Sequence, residues 1–542
     1  MGYFYSCMIF SARNTVLLII LIAIAVFVES SVPYLCAERN APAGYSFSGQ
    51  VAYSADQNMY FSFISQARDG AFVLKNKLTS IHNEPVFVNL EYWMVGTIQR
   101  YLGLSENEVY TIWRFLGVVL LAIGFRMLAR ATLDSEKKRL TAFALFFCTG
   151  GFGFVFASLN GAHLLSAAAL QAGIIDARYG MLPLQQIISN PHFSMPHGLL
   201  LIAYSLFLMA ERAGKTKYYV YSGLVFALIG LVRPYDLLPP FLIFPLYVLA
   251  ADGFKFRFGQ LVQRMLPLLL ILPVLGYNLW LFKFNDIFKY WSLQGHNAGS
   301  LPGPLWHYMA YGIAGILAAA RLLQLKKHPM GKTGTFLLLW FGITFVFIQM
   351  GRFLPVIGWS PQIGVYLAAP LALAASTLRM DELIPAKRLR TMLVAAIVAV
   401  VAISNLFVVF YHTRKFTGAV ETEVFYTANT EMEAYKWLRA NTVPGTVVLA
   451  DILSSQRIAK YTSNAVVAAH YSVTPRFGDF KMAVKEMLAD TMILSGQQPL
   501  RADGNVSYLY LKKGVNPTPV PAGTHLQEVY ANSGVLIYKT LP

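Results

Sequence analysis

Apolar runs of about 20 residues recur along this chain, and that recurrence leaves few folds open. They lie at about 109–131, 140–159, 197–212, 218–236, 237–251, 265–283, 304–322, 334–350, 361–379 and 391–411, after a first run from Val16 to Val28. In hydrocarbon every backbone N–H and C=O must be satisfied within its own segment, so such runs read as membrane helices. Together they make about eleven crossings. Charged residues are only 13% of the chain and hydrophobic residues 56%, whereas a soluble domain carries roughly 25% charged residues. The expected fold class is therefore an all-α polytopic membrane domain, followed from about residue 415 by a segment of soluble composition.

The net charge of +17 invites a nucleic-acid reading, which the positions of the cations exclude. They gather in short loops: Arg126, Arg130, Lys137, Lys138 and Arg139; Arg212, Lys215 and Lys217; Lys255, Arg257 and Arg264; Arg321, Lys326, Lys327 and Lys332; Arg379, Lys387, Arg388 and Arg390. Every second loop is basic, which is the positive-inside pattern of a membrane protein, and no basic stripe interleaved with aromatics accompanies it. Arg13 precedes the first run, so the N-terminus is expected in the cytoplasm and the loop after it outside; a cleaved signal peptide is the competing reading. Either way the first loop faces outward. The three cysteines, Cys7, Cys36 and Cys148, are scattered and match no metal or disulfide pattern.

Two domains are expected. Residues 1–414 form the membrane domain, with a large first external loop over 30–108, and residues 415–542 form a small extracytoplasmic α/β domain. In the latter, helices are expected at Glu431–Ala440, Ser455–Tyr461 and Asp479–Leu488. Strands are expected at Thr446–Asp451, Ala465–His470 and Val506–Lys512, with a hairpin at Asn532–Gly534. Strands alternating with helices imply a partly parallel sheet. The cytoplasmic loops are too short for a catalytic domain, so chemistry belongs to the outer face. Residues 160–196, with NPHFSMPHG, and 284–303 read as further external loops.

The longest polar interruption of the first half runs from Tyr53 to Glu91. Ser54 and Gln57 have the spacing of a capping box, and Tyr60, Phe63, Ile64 and Ala67 recur at helical spacing up to a stop at Gly70. The expectation is an amphipathic helix lying on the membrane surface, with Asp56 at its leading end.

The first loop, the many spans and the external C-terminal domain together resemble the glycosyltransferase-C superfamily. The segment ADQNMYFSFISQARDGAFVLKNKLT is similar to the first loop of bacterial relatives of the aminoarabinose transferases and protein O-mannosyltransferases. The RPYD turn and the opening WLRANTVPGTVVLAD of the soluble segment resemble a bacterial branch of the same group. The resemblance implies an integral protein of the bacterial cytoplasmic (inner) membrane, bound to membrane lipid. It implies transfer of a sugar from a lipid-linked donor, a polyprenyl phosphate, to an envelope acceptor outside. Asp56 would be the catalytic carboxylate. Many members carry a second acid beside it, where this chain has Gln57.

Such a transfer needs a carboxylate to accept the acceptor's proton and cations to stabilise the departing phosphate. Asp56 fits the first role; an idle helix-start acid, favoured by the macrodipole, is the plain alternative. Glu84 and Glu91 are later acids of the loop, either a second carboxylate or solvated. Arg233 and Asp236 in RPYD read equally as a phosphate contact or a structural pair. Arg352 is a phosphate candidate or a snorkelling cation. His192 and His197 are substrate contacts or loop packing, with a weak metal signal. His296 is weaker still. Tyr60 and Trp93 are near enough to Asp56 in sequence to stack on a sugar. Asp451 and His470 end consecutive expected strands, where open α/β sheets bind ligands, though hydrogen-bonded strand ends account for them as well. No cofactor is assigned and a divalent metal is left open. Gly331-Lys332-Thr333 lacks the earlier glycine of a phosphate loop. Two other functions compete: a transporter or flippase of lipid-linked saccharides, and a non-catalytic protein that binds glycan or assembles the envelope. A transporter would show repeated halves and ions at the bilayer midplane, and no repeat is found.

Overall fold

The computed structural model describes residues 12–178, 182–253, 255, 258–293, 303–350, 366–417, 422–489, 506–516 and 526–541. The chain divides into two compact units. The first comprises residues 1–33, 113–276 and 296–414; the second comprises 34–112, 277–295 and 415–542. One boundary thus falls at Arg414/Lys415, and the others join the first loop and the short segment 277–295 to the C-terminal part.

The first unit is helical. Among the described residues eight helices are long and apolar enough to cross a membrane: Asn14–Arg39, Glu106–Thr132, Glu136–Gly161, Pro191–Ala213, Pro234–Ala251, Phe258–Phe284, Gly331–Met350 and Lys387–Phe416. Three further apolar runs hold the shorter helices Thr216–Gly230, Gly312–Leu323 and Ala368–Ala375. Glycine lets two of the long helices approach: a Cβ on Gly124 would sit 2.4 Å from the carbonyl oxygen of Gly198, the small-residue packing of membrane interfaces. Arg114 is buried and donates to Ile187 O at 3.0 Å and Ser30 O at 2.8 Å, tying three segments together.

The stretch 160–196, expected as a loop, is largely helical. It holds Ala167–Gly173, Ile175–Arg178 and Pro183–Ser189, and NPHFSMPHG opens the helix Pro191–Ala213. The reason is local. Asn190 caps that helix by accepting from the His192 amide at 3.1 Å, and Pro191 takes the first helical position, where its missing N–H costs nothing.

The second unit is built on a five-stranded sheet of order β4-β3-β5-β7-β6. Its strands are β3 (Val447–Leu449), β4 (Ala465–Val466), β5 (Val506–Lys512), β6 (Leu526–Ala531) and β7 (Val535–Thr540). β3 runs parallel to β4 and β5, and β7 antiparallel to β5 and β6. β1 (Tyr45–Phe47) and β2 (Tyr426–Ala428) form a separate antiparallel pair that joins the first loop to the C-terminal segment. Val506, Leu509 and Leu511 of β5 share a core with Phe480, Val484, Met487 and Leu488 of the helix Phe477–Ala489. Tyr510 points the other way and stacks on Tyr435 of the helix Asn429–Asn441, ring centroids 5.7 Å apart. The alternation of strand side chains thus feeds two apolar layers.

The helix Ser54–Arg68 packs between Leu90–Leu102 and Ile452–Tyr461. It is buried over ten of its positions, polar ones included, and does not lie open on a membrane surface as its pattern predicts. Its polar side chains are taken up inside the protein: Asn58 accepts from Gln50 at 3.1 Å and donates to Gln456 at 3.4 Å. Ser65 accepts from the buried Lys77 Nζ at 3.1 Å. The expected capping box is absent. Tyr53 occupies the N-cap in the left-handed region (φ 49°) with no side-chain cap bond, and the Gln57 amide donates to Ala52 O at 2.9 Å.

Candidate functional site

Asp56 stands in the first turn of Ser54–Arg68, with 27% of its side chain exposed. Its Oδ1 lies 3.0 Å from Nε2 of His470, whose side chain is fully buried. His470 follows β4, and its place is fixed by the turn after it. Thr474 Oγ1 accepts from the amides of Ala469 and His470 at 3.2 Å and donates to Leu78 O at 2.6 Å. The first loop runs beside this edge, Val466 N donating to Lys77 O at 3.0 Å and Thr79 forming a bridge with Ala468. On its far side the imidazole Nδ1 accepts from Ser472 N at 3.2 Å and lies 2.7 Å from Ser472 Oγ. Tyr471 is also hydrogen-bonded to Asp56. The negative charge of Asp56, with burial, holds its phenol well above the ordinary tyrosine range.

This is an acid held from the protein side by His470 and Tyr471, with part of its surface open to a ligand. It can accept a proton. Among the described residues no group of three or more His, Cys, Asp or Glu side chains could hold a metal ion. The His470 nitrogen facing Asp56 carries a proton, because the other accepts from a backbone amide. Among the described residues the side chains around Asp56 do not form a metal-ligand set.

The other candidates are distributed as follows. In the second unit, Glu84 is exposed and faces His82 at 2.9 Å. Glu91 is buried at the start of Leu90–Leu102. Tyr60 is buried, its ring stacked on Tyr92 with centroids 5.5 Å apart, so that face is not offered to a sugar. Trp93 is half-exposed and meets Phe72 edge-on. Asp451 caps the helix Ile452–Tyr461, accepting from Leu453 N and Ser454 N at 3.1 Å.

In the first unit, His197, Arg233 and Asp236 gather around Tyr366. Arg233 Nε is 3.3 Å from Asp236 Oδ2, both side chains fully buried, and the guanidinium lies against Phe193, Tyr235 and Tyr366. The Tyr366 hydroxyl donates to Asp236. His197 Nδ1 donates to Gln186 Oε1 at 3.0 Å, and the ring meets that of Tyr366 at 4.8 Å. His192 is buried at the start of its helix. A separation of five residues turns the helix by about 140° beyond a full turn, so His192 and His197 do not share a face. Both lie in the helix Pro191–Ala213 and not in a loop. Arg352 and His296 lie outside the described residues.

Sequence reasoning passed over Asp176. It is fully buried in Ile175–Arg178 and accepts from Gly153 N at 3.1 Å. Burial pushes its carboxyl up to about 7 against those backbone bonds. The signal was the glycine cluster Gly150, Gly151 and Gly153, where an added Cβ on Gly153 would fall 2.2 Å from Asp176 Oδ1.

No family model matches the sequence, and no curated protein sequence matches it. Solved structures match in fold. The oligosaccharyltransferase AglB of Archaeoglobus fulgidus, in complex with an inhibitory peptide and a dolichol-phosphate, superposes with a TM-score of 0.52 at 11% identity, over 90% of this chain and 69% of that one. The same organism's oligosaccharyltransferase in the apo form gives 0.51 at 11% identity, over 91% and 69%. ArnT of Cupriavidus metallidurans in the apo state gives 0.50 at 13% identity, over 98% of both chains. These are glycosyltransferase-C membrane proteins, and at such identities the likeness is one of fold. The chain is a multi-pass membrane protein with a glycosyltransferase-C-like fold.

Proposed function

We propose that this chain is a membrane glycosyltransferase that moves a sugar from a polyprenyl-phosphate carrier to an envelope acceptor on the non-cytoplasmic face of the bacterial cytoplasmic membrane, with Asp56 as general base. The observation that carries the reading is the half-buried Asp56 carboxylate, held by His470 Nε2 at 3.0 Å and by the Tyr471 hydroxyl, with 27% of its side chain exposed. The fold supports the donor class, since AglB was solved with a dolichol-phosphate. A fold shared between proteins does not carry function by itself, so the argument rests on the site. Asp56 takes the proton of the acceptor hydroxyl as its oxygen attacks the anomeric carbon. The bond from that carbon to the phosphate oxygen breaks, and the phosphate leaves on its polyprenyl chain.

Nothing in the described residues favours transport. Arg233 and Asp236 are paired with each other, and no sequence repeat is seen. The test is transfer from a synthetic short-chain polyprenyl-phosphate sugar to native membranes, with wild type and Asp56→Asn at equal protein levels. A positioned base contributes on the order of 10²–10⁴ in rate, so the variant should lose that factor while binding donor normally. Equal rates in the two proteins sink the assignment.

A further inference from the structure

We propose that His470, from the soluble C-terminal segment, is the positioning residue for Asp56: its buried imidazole donates one fixed hydrogen bond that sets the carboxylate's direction. The inference rests on the reading of Asp56 as base.

The tautomer follows from the partners. Nδ1 lies 3.2 Å from the amide nitrogen of Ser472, and a backbone amide can only donate. Nδ1 therefore carries a lone pair. The single proton of the neutral ring sits on Nε2 and points at Asp56 Oδ1, 3.0 Å away. In that state His470 cannot take a proton from an acceptor through either nitrogen, one being occupied and the other already protonated. Its contribution passes through Asp56.

The imidazole is itself immobilised. Ser472 Oγ stands 2.7 Å from Nδ1. Thr474 Oγ1 accepts from the His470 amide, and the Gln456 side chain donates to Ala469 O at 2.9 Å. Gln456, in the helix Ile452–Tyr461, also accepts from Asn58, two residues along its helix from Asp56. The exposures differ in the useful direction: His470 is closed to solvent and Asp56 is 27% open. A carboxylate at a helix start would otherwise sample several water-solvated rotamers. The buried His470 is the fixed donor that selects one, while Tyr471, the second partner of the carboxylate, is half-exposed; holding the acid in one direction is the orientation term of catalysis. The first loop supplies the acid and the C-terminal segment supplies its aim.

Four variants, His470→Ala, His470→Gln, Ser472→Ala and Asp56→Asn, and the double variant of the first and last, test this with the full-length protein. One readout is kcat and KM with the synthetic polyprenyl-phosphate sugar and native membranes. The other is labelling of Asp56 by a water-soluble carbodiimide with an amine, read by peptide mass. His470→Ala should lower kcat on the order of 10–100-fold, the cost of a misplaced group, with donor KM unchanged. His470→Gln, whose amide N–H reaches the same point, should recover most of the rate. Ser472→Ala, which keeps the amide bond to Nδ1, should lose less. In the Asp56→Asn background His470→Ala should cost nothing more. Asp56 should label at a different rate in His470→Ala and return towards wild type in His470→Gln.

Unchanged kcat in folded His470→Ala overturns the proposal, as does a loss that adds fully to that of Asp56→Asn. If His470→Ala does not fold, folded His470→Gln and Ser472→Ala with the rate of Asp56→Asn overturn it too. Wild type that turns over no donor overturns the reading of Asp56 instead, and the labelling then shows separately whether the clamp exists.

Discussion

Asp56 Oδ1 and His470 Nε2 stand 3.0 Å apart although the two residues are 414 positions apart in the chain. The contact is made by topology: the first loop runs beside β4, and the turn after β4 returns His470 to the start of the helix Ser54–Arg68. The two partners are unequal in burial, and that makes their loss unequal. Asp56 can be rehydrated. His470 cannot.

Replacing Asp56 therefore separates charge from hydrogen bonding. Asp56→Asn keeps an oxygen for the His470 N–H and should leave the thermal midpoint close to wild type. Asp56→Leu leaves that buried N–H without an acceptor, a loss of about 1–3 kcal/mol, and should lower the midpoint measurably. Thermal unfolding of the purified proteins in one detergent checks both. Equal midpoints for the two variants would mean that the bond contributes nothing to the fold.

Gly96 is the second expected weak point. A Cβ there would fall 2.6 Å from Ile64 O and 2.7 Å from both Ala67 Cβ and Arg68 N. Most of these atoms are backbone and cannot yield without moving the helix Ser54–Arg68. Gly96→Ala should thus cost about 1–3 kcal/mol, the usual range for overpacking. It should also lower transfer by shifting Asp56. Thermal unfolding and the transfer assay measure the two effects.

Hydropathy made the helical unit legible, because a bilayer leaves so few options. The soluble strands and helices were legible from alternation, and the hairpin Asn532–Gly534 joins β6 to β7 as its turn residues predict. Asp56 was visible as a carboxylate at a helix start. His470 was visible only as a strand end, since nothing local in AAHYS says which distant residue its ring will meet. NPHFSMPHG was misread because Asn-Pro serves both as a turn and as the N-cap and first residue of a helix. The amphipathic pattern of Ser54–Arg68 was read correctly as a helix. Its polar face was expected in water, and it is buried because Gln456 and Lys77 supply partners from elsewhere in the chain.

Lys77 gives a pH dependence with a definite sign. Burial is the main cause that lowers its amine to about 7, and its two bonds, to Ser65 Oγ at 3.1 Å and Thr462 O at 2.7 Å, use the two N–H groups of a neutral amine. The unfolded chain keeps an ordinary lysine, so between pH 7 and 10.5 the unfolded state binds more protons. Stability should rise with pH across that window and flatten below it, by a total of about 5 kcal/mol at about 1.4 kcal/mol per unit. Lys77→Met should remove this slope. Thermal midpoints of wild type and variant from pH 6 to 9.5 measure it, and parallel curves would refute it.

The last prediction separates the two readings of Arg233. The guanidinium and the Asp236 carboxylate are fully buried, 3.3 Å apart, with the Tyr366 hydroxyl on the same carboxylate. Removing one member of a buried pair leaves an uncompensated charge and costs about 3–5 kcal/mol, while replacing both by apolar residues of similar volume is often neutral. Arg233→Ala should therefore reduce folded protein sharply, as judged by recovery of a single peak in size-exclusion chromatography. The double variant Arg233→Met with Asp236→Leu should restore that recovery. Donor binding by the restored protein then decides the role. If the pair only pins the turn between two membrane helices, the double variant binds the synthetic polyprenyl-phosphate sugar as wild type does. If Arg233 holds the carrier phosphate, the double variant folds but binds it at least tenfold more weakly, in line with a charge-assisted bond of about 1.5–3 kcal/mol. Full burial of the guanidinium between Phe193, Tyr235 and Tyr366 favours the first outcome.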